Sequence, residues 1–242
     1  MDVILTRELS KRYGSVTALD SVTLSVRRGE LYTLLGLNGA GKTTLVKLLT
    51  CLAEPSEGDA LVLGKSVREQ ATAVKRLIGV SPQETALAPS LSVRENLSML
   101  AGIFGLSRSE RRGRVDALAD KLSLGAVLDR RAGKLSGGWQ RRVSIAMALV
   151  GDPSVLFLDE PTLGLDVLAR RELWDVIASL HGVCTVLLTT HYMEEAEALS
   201  DRVGILDRGR LLSVGTPREL MEKTETESLE GAFLRIVRGE RV

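Results

Sequence analysis

The sequence predicts an α/β fold on two observations. Apolar stretches recur at Leu31 to Leu35, Val155 to Leu158, Val186 to Leu188 and Val203 to Leu206, and helical segments with apolar residues three and four apart stand between them. Buried apolar strands alternating with helices form a parallel sheet covered on both faces. A third observation adds two appendages to that sheet. Short strands ahead of residue 31 predict an N-terminal antiparallel β region, and the helical character from about Glu84 to Val150 predicts an inserted α-helical subdomain. The expected division is a single domain: residues 1–83 and 151–220 form the α/β core with its β region, 84–150 the helical subdomain, and 221–242 a tail helix.

In chain order, Val3 to Leu5 reads as a strand, and Val22, Leu24 and Val26 alternate with polar neighbours as a second one. The strand Leu31 to Leu35 ends at Gly36, and a helix from Thr43 to about Leu52 follows. Helices are expected at Val93 to Phe104, Glu110 to Ser123 and Trp139 to Val150 in the middle, then at Ala169 to Leu180 and Glu194 to Leu199 between the later strands. In the tail, Leu229, Phe233 and Ile236 or Val237 make one stripe, enough to dock a plain surface helix. There is no internal repeat and no low-complexity linker.

Composition narrows the function. The 242 residues carry 32 Lys and Arg against 31 Asp and Glu, a formal net charge of +1, which argues against a nucleic-acid surface. Aromatic residues are 3%, too few for base-stacking platforms. The densest basic cluster, Arg108, Arg111, Arg112 and Arg114, is interleaved with Glu110 and Asp116, as in a solvated helix face. Cys51 and Cys184 are far apart and share no pattern with His181 and His191, so neither a zinc site nor a disulfide framework is expected. No apolar run approaches the ~20 residues of a membrane span, and the start lacks the basic residue and long apolar stretch of a secretory signal. A cytoplasmic location is the expectation.

Three motifs carry chemistry. Gly36-Leu37-Asn38-Gly39-Ala40-Gly41-Lys42-Thr43 fits GxxxxGK[ST], and it lies where that pattern needs to lie, between an apolar strand and a helix. Glycines turn backbone N–H groups onto phosphate oxygens, the helix N-terminus adds its positive end, Lys42 reaches the β- and γ-phosphates, and Thr43 offers a hydroxyl to Mg²⁺. The second motif is the strand Val155 to Leu158 followed by Asp159-Glu160-Pro161. Asp159 suits Mg²⁺, and Glu160, expected to point to the other side, suits a water attacking the γ-phosphate. In the third, Leu135-Ser136-Gly137-Gly138-Trp139-Gln140-Arg141-Arg142, Ser136 is placed to cap a helix whose first N–H groups two glycines leave open. That makes a second anion site, which is either a plain loop or a site for the nucleotide of another copy.

Together these residues resemble the ATP-binding (nucleotide-binding) subunit of an ATP-binding cassette (ABC) transporter over nearly the whole chain. The resemblance implies a P-loop NTPase (RecA-like) core, hydrolysis of ATP with Mg²⁺, and a head-to-tail dimer in which Ser136, Gly137 and Gly138 meet the nucleotide held by the partner's loop. It implies further roles one position at a time. Tyr13 stands where an aromatic ring packs on adenine, Gln83 where a glutamine reaches Mg²⁺ and the attacking water, Asp166 where a residue crosses the dimer interface, and His191 where a histidine contacts the γ-phosphate. The ATP-binding set so implied is Tyr13, Gly36, Asn38, Gly39, Ala40, Gly41, Lys42, Thr43, Thr44 and Gln83; the metal set is Thr43, Gln83 and Asp159; the catalytic pair is Glu160 and His191.

Two departures stand out: Leu37 replaces the usual proline of the loop, and Trp139 stands where Gln or Met is more common. The strings Leu91 to Leu97, His191 to Glu197 and Ser228 to Leu234 are most similar to the exporter branch with ABC-2-type membrane subunits. Implied partners are therefore integral-membrane permease subunits and a second ATPase subunit, in a homodimer or heterodimer, on the cytoplasmic face of the cell membrane. The alternative is a soluble ABC-type ATPase acting on ribosomes, nucleic acid or an iron–sulfur assembly scaffold. Neutral charge and the short chain between Thr44 and Leu135 count against it. A P-loop kinase or GTPase would leave Ser136 to Gly138 unexplained.

Overall fold

The chain opens on one long strand, β1 (Asp2–Tyr13), against which β2 (Val16–Val22) and β3 (Ser25–Arg27) fold back antiparallel. The computed structural model describes residues 1–239; the last three residues of the expected tail helix lie outside the described residues. Val22, Leu24 and Val26 are all buried, as their alternation predicts, yet they do not share one strand: Val22 ends β2, Val26 lies in β3, and Leu24 sits between the two. Thr6 divides them. Its buried Oγ1 donates to Val22 O and accepts from Leu24 N–H, each at 2.9 Å, so a side chain takes the place of ladder partners there.

Next come β4 (Leu31–Leu35), buried along its whole length, and α1 (Lys42–Leu49). The helix stops short of Leu52 because Cys51 takes a left-handed φ of 57° and the Leu52 N–H returns to Lys47 O at 2.8 Å. This closure satisfies carbonyls that a helix end leaves open. Two strands that no apolar run announces, β5 (Glu57–Val62) and β6 (Lys65–Ser66), complete the antiparallel sheet in the order β2-β1-β5-β6, with β3 on β1. The short α2 (Ala71–Lys75) leads to β7 (Ile78–Ser81).

Three helices follow: α3 (Val93–Ile103), α4 (Arg108–Lys121) and α5 (Gly137–Leu149). Ser92 with Glu95 and Ser107 with Glu110 form reciprocal capping boxes, which start α4 two residues ahead of Glu110. The chain then alternates through β8 (Val155–Asp159), α6 (Val167–Ala178), β9 (Thr185–Thr190), α7 (Met193–Leu199) and β10 (Arg202–Asp207). The edge strand β11 (Arg210–Gly215) was hidden in the sequence because Leu212 and Val214 alternate outward and no apolar run forms. After it come α8 (Pro217–Lys223) and α9 (Leu229–Arg238). Leu229 and Phe233 of α9 are buried beside Leu35, Ala196 and Val203, with Ile236 and Val237 partly covered, so the predicted stripe docks on the core.

The six-stranded sheet has the order β11-β10-β4-β9-β8-β7, parallel except for β11. This order is the structural basis of the site. It sets β4 between β10 and β9, and β8 on the other side of β9, so the loop leaving β4 emerges near the carboxyl ends of β8 and β9. Ligands of parallel sheets bind at that edge.

Gly79 shows how closely β7 and α5 approach: a Cβ built on it would overlap the carbonyl oxygen of Ala148. Gly79→Ala should therefore cost about 1–3 kcal/mol through overpacking. At about 2–4 °C per kcal/mol for a chain of this size, thermal denaturation will read the loss as a lowered Tm.

Candidate functional site

The backbone of the Gly36 to Lys42 loop is fixed by close approaches at two glycines. A Cβ on Gly36 would overlap the carbonyl oxygen of Leu206, and one on Gly41, whose φ is +108°, would lie 2.6 Å from Ala18 O. Gly41 is also the N-cap of α1 and offers no capping side chain, so the first N–H groups of the helix stay open to an anion. The cavity in front of the loop measures about 390 Å³ and is lined by Asn38, Gly39, Ala40, Gly41, Lys42, Thr43 and Thr44. Val16, Thr17 and Ala18 complete the lining together with Gln83, Glu160 and Leu163. Tyr13 pairs with Val16 across the β1–β2 turn, with its ring about half exposed and Lys11 Nζ 4.9 Å from the ring centroid; it is not among the residues lining the cavity. Leu37 is half exposed, and its carbonyl accepts from Ala40 N–H at 3.1 Å, so a turn holds the loop where proline is missing.

Behind the loop lies a buried chain of charges. Lys42 Nζ donates to Gly36 O at 2.7 Å and to Leu37 O at 3.2 Å, and stands 2.9 Å from Glu160 Oε1. The side chains of Lys42 and Glu160 are each 6% exposed. The second oxygen of Glu160, Oε2, lies 2.7 Å from His191 Nδ1. Asp159 Oδ1 accepts from Thr189 Oγ1 at 2.6 Å and from Thr43 Oγ1 at 3.2 Å. Strand alternation would send Glu160 away from Asp159, and the structure corrects that expectation. Glu160 takes a left-handed φ of 50°, anchored by its own N–H on Thr189 O and Oγ1, and both carboxylates converge on Lys42 and Thr43. The hydroxyl of Thr43, the carboxylate of Asp159 and the amide of Gln83 are hard oxygen donors of the kind Mg²⁺ accepts.

Comparison with known proteins matches residues 19–163 to the ABC transporter family model, the stretch that holds the loop, Ser136 to Gly138 and the Asp159-Glu160 pair. The chain belongs to the ABC transporter family. It is 45% identical over 212 residues to the doxorubicin resistance ATP-binding protein DrrA of Mycobacterium tuberculosis, covering 87% of this chain and 64% of that protein's length. It is 44% identical over 218 residues to the Nod factor export ATP-binding protein I of Burkholderia orbicola, covering 89% of this chain and 71% of the relative. A solved dimeric ATP-binding cassette in a post-hydrolysis state, bound to ADP and Pi, superimposes with a TM-score of 0.78 at 27% identity, covering 88% of this chain and 98% of that one.

The remaining ABC elements sit apart from this cavity. None of Ser136, Gly137, Gly138 and Asp166 lines it. Ser136 occupies the N-cap position of α5 but makes no side-chain capping bond, contrary to expectation, so its hydroxyl and the first N–H groups of the helix are both uncommitted by capping. A Cβ on Gly138 would lie 3.1 Å from that of Ala169, which seats the start of α5 on α6. Trp139 carries the guanidinium of Arg142 4.7 Å from its ring centroid, and Arg142 pairs with Glu172 of α6 at 3.3 Å. Asp166 caps α6, its Oδ1 accepting from Ala169 N–H at 2.9 Å.

Two contributors lay outside the predicted set. Thr189 braces Asp159 and Glu160 from β9, and Arg141 of α5 donates to Pro82 O at 3.0 Å, next to Gln83. Burial lowers the pKa of Arg141 from its usual value, against the opposing pull of Asp159 and Glu160. Ser81 and Ser144, 2.8 Å apart, add a second tie between the Gln83 segment and α5.

Removing one partner of a buried ion pair leaves a charge without compensation. Lys42→Ala should destabilise the fold by roughly 3–5 kcal/mol, and Glu160→Gln added to it should recover part of that loss. Denaturant titration of the four proteins in the cycle measures the coupling; additive losses would contradict a buried pair.

Proposed function

We propose that this chain is the ATP-binding and ATP-hydrolysing motor subunit of an ABC exporter with separate ABC-2-type membrane subunits. The observation that carries the proposal is the chain of contacts from Lys42 through Glu160 to His191 beside the glycine-rich loop whose cavity Lys42 and Glu160 line. The loop amides and Lys42 bind the β- and γ-phosphates of ATP, and the γ-phosphate competes with Glu160 for Lys42 and His191. Glu160, so released, orients a water and takes its proton as the water oxygen attacks the γ-phosphorus; the bond to ADP breaks and phosphate leaves. Thr43, Asp159 and Gln83 would hold Mg²⁺. The ion, when bound, neutralises charge on the phosphate oxygens.

The dimer reading rests on the separation of Ser136 to Gly138 from their own cavity and on the dimeric cassette with ADP and Pi. The uncommitted helix end and hydroxyl supply donors for a nucleotide held by a second copy. Export is supported by relatives whose names refer to drug resistance and Nod factor export. No helix among the described residues is long and apolar enough to cross a membrane, so on this reading the cargo path belongs to the permease subunits. The proposed location is the cytoplasmic face of the membrane, held there by that partner. None of these relatives favours action on ribosomes, nucleic acid or an iron–sulfur scaffold.

Glu160→Gln should bind ATP normally, hydrolyse it about a hundredfold more slowly or worse, and accumulate as a dimer with Mg-ATP in size-exclusion chromatography. Hydrolysis at the native rate would refute the assignment of Glu160. Gentle solubilisation of host membranes with the trapped dimer should bring down a polytopic membrane protein in near-stoichiometric amount; a ribosome or soluble scaffold instead would overturn the exporter reading.

A further inference from the structure

The helix that follows His191 is pinned from behind by a carboxyl group that does not line the nucleotide cavity. Glu195, in the first turn of α7, is wholly buried. Its Oε1 accepts a hydrogen bond from Trp174 Nε1 of α6 at 2.9 Å. Its Oε2 and the hydroxyl of Thr162 are both buried without a hydrogen-bond partner, yet the side chains of Thr162 and Thr190 are close enough to act on the carboxyl. Among the described residues no Lys, Arg or His forms an ion pair with it.

An unpaired carboxylate in such a place is costly, whereas a carboxylic acid is a polar group with one donor and one good acceptor. The surroundings suit the acid. The charge that acts on Glu195 is the negative one of Glu160. Arg170 and Arg171 of α6 lie over the rings of Tyr192 and Trp174, at 4.7 and 4.8 Å from the centroids, and His191 is bound to Glu160. From β4 and α9, the apolar Leu35, Ala232 and Phe233 cluster with Ala196 of the same helix.

We propose that Glu195 is a positioning residue held as the neutral acid, its Oε1 accepting from Trp174 and its O–H on Oε2 directed at the Thr162 and Thr190 hydroxyls. One uncharged group then ties three elements together: α7, which follows His191; α6, which Asp166 caps; and the turn two residues after Glu160. Burial raises the Glu195 pKa above the ordinary carboxylate range, against the lowering pull of Thr190, Thr162 and Trp174 and with the charge of Glu160 adding the smallest share. The folded chain thus holds this proton more tightly than the unfolded chain. Its contribution to stability declines as pH rises from the ordinary carboxylate pKa toward the raised one.

The kinetic part of the test rests on the ATPase reading and the spectroscopic part does not, so the two can fail separately. With Trp139→Phe, Trp174 is the remaining tryptophan and its emission reports on the hydrogen bond to Glu195. Its emission at neutral pH should match that of the same protein carrying Glu195→Gln, and raising the pH through the Glu195 transition should change only the former. A transition already complete in the ordinary carboxylate range, or one that persists in Glu195→Gln, would overturn the neutral acid. In otherwise unaltered protein, Glu195→Gln should keep kcat within about twofold and lose any alkaline fall that Glu195 imposes, while Glu195→Ala should lower kcat about tenfold with the KM for ATP little changed. Equal damage by Gln and Ala, or none by Ala, would overturn the positioning role. If Glu195→Ala does not fold, the Gln variant and the emission titration still decide the matter.

Discussion

The buried contact between Lys42 and Glu160 organises this molecule. Both side chains are almost wholly enclosed, 2.9 Å apart, and either one alone would be a buried charge without its compensation. Their meeting requires that the strand before residue 36 and the strand ending at residue 159 lie two positions apart in one parallel sheet, with β9 between them supplying Thr189 and the chain that continues to His191. It also requires a local backbone departure. Glu160 lies in the left-handed region, held by two hydrogen bonds to Thr189, and that turn brings its carboxylate toward the loop. Such strain concentrates at sites where geometry is part of the chemistry.

Around this contact, close packing and polar ties hold the Gln83 segment, α5 and α6 to one another. Arg141 on Pro82 and Ser81 on Ser144 tie the Gln83 segment to α5, while Gly138 against Ala169 and Arg142 with Glu172 tie α5 to α6. Ser136 and Asp166 therefore sit at the starts of two helices that are packed together. On the proposed dimer, a contact at either helix start would bear on the other and, through Arg141, on the segment that carries Gln83, by close packing and short polar contacts.

What could be read from the sequence was what is local. The loop, the apolar strand before Asp159 and the spacing of Ser136 to Gly138 are short patterns whose chemistry follows from adjacent residues, and the central strands announced themselves by unbroken burial. The misses are contacts between distant positions. Nothing near Thr6 tells that its hydroxyl will interrupt a strand 16 residues away, and nothing near Thr189 tells that it will brace Asp159 across 30 residues. Arg141 and Pro82 are 59 apart. The left-handed turn at Glu160 was missed for the same reason, since Thr189 stabilises it from another strand. Edge strand β11 was missed because half of it faces outward, which leaves no apolar run to find.

The central claim is that a working site takes its loop and carboxylates from one chain and Ser136 to Gly138 from another. Mixing chains carrying Lys42→Ala with chains carrying Ser136→Arg tests it directly. A mixed dimer holds one site with both changes and one with neither, so ATP hydrolysis absent from each protein alone should return on mixing. A mixture as inactive as its components, or full activity from Ser136→Arg by itself, would contradict the shared site.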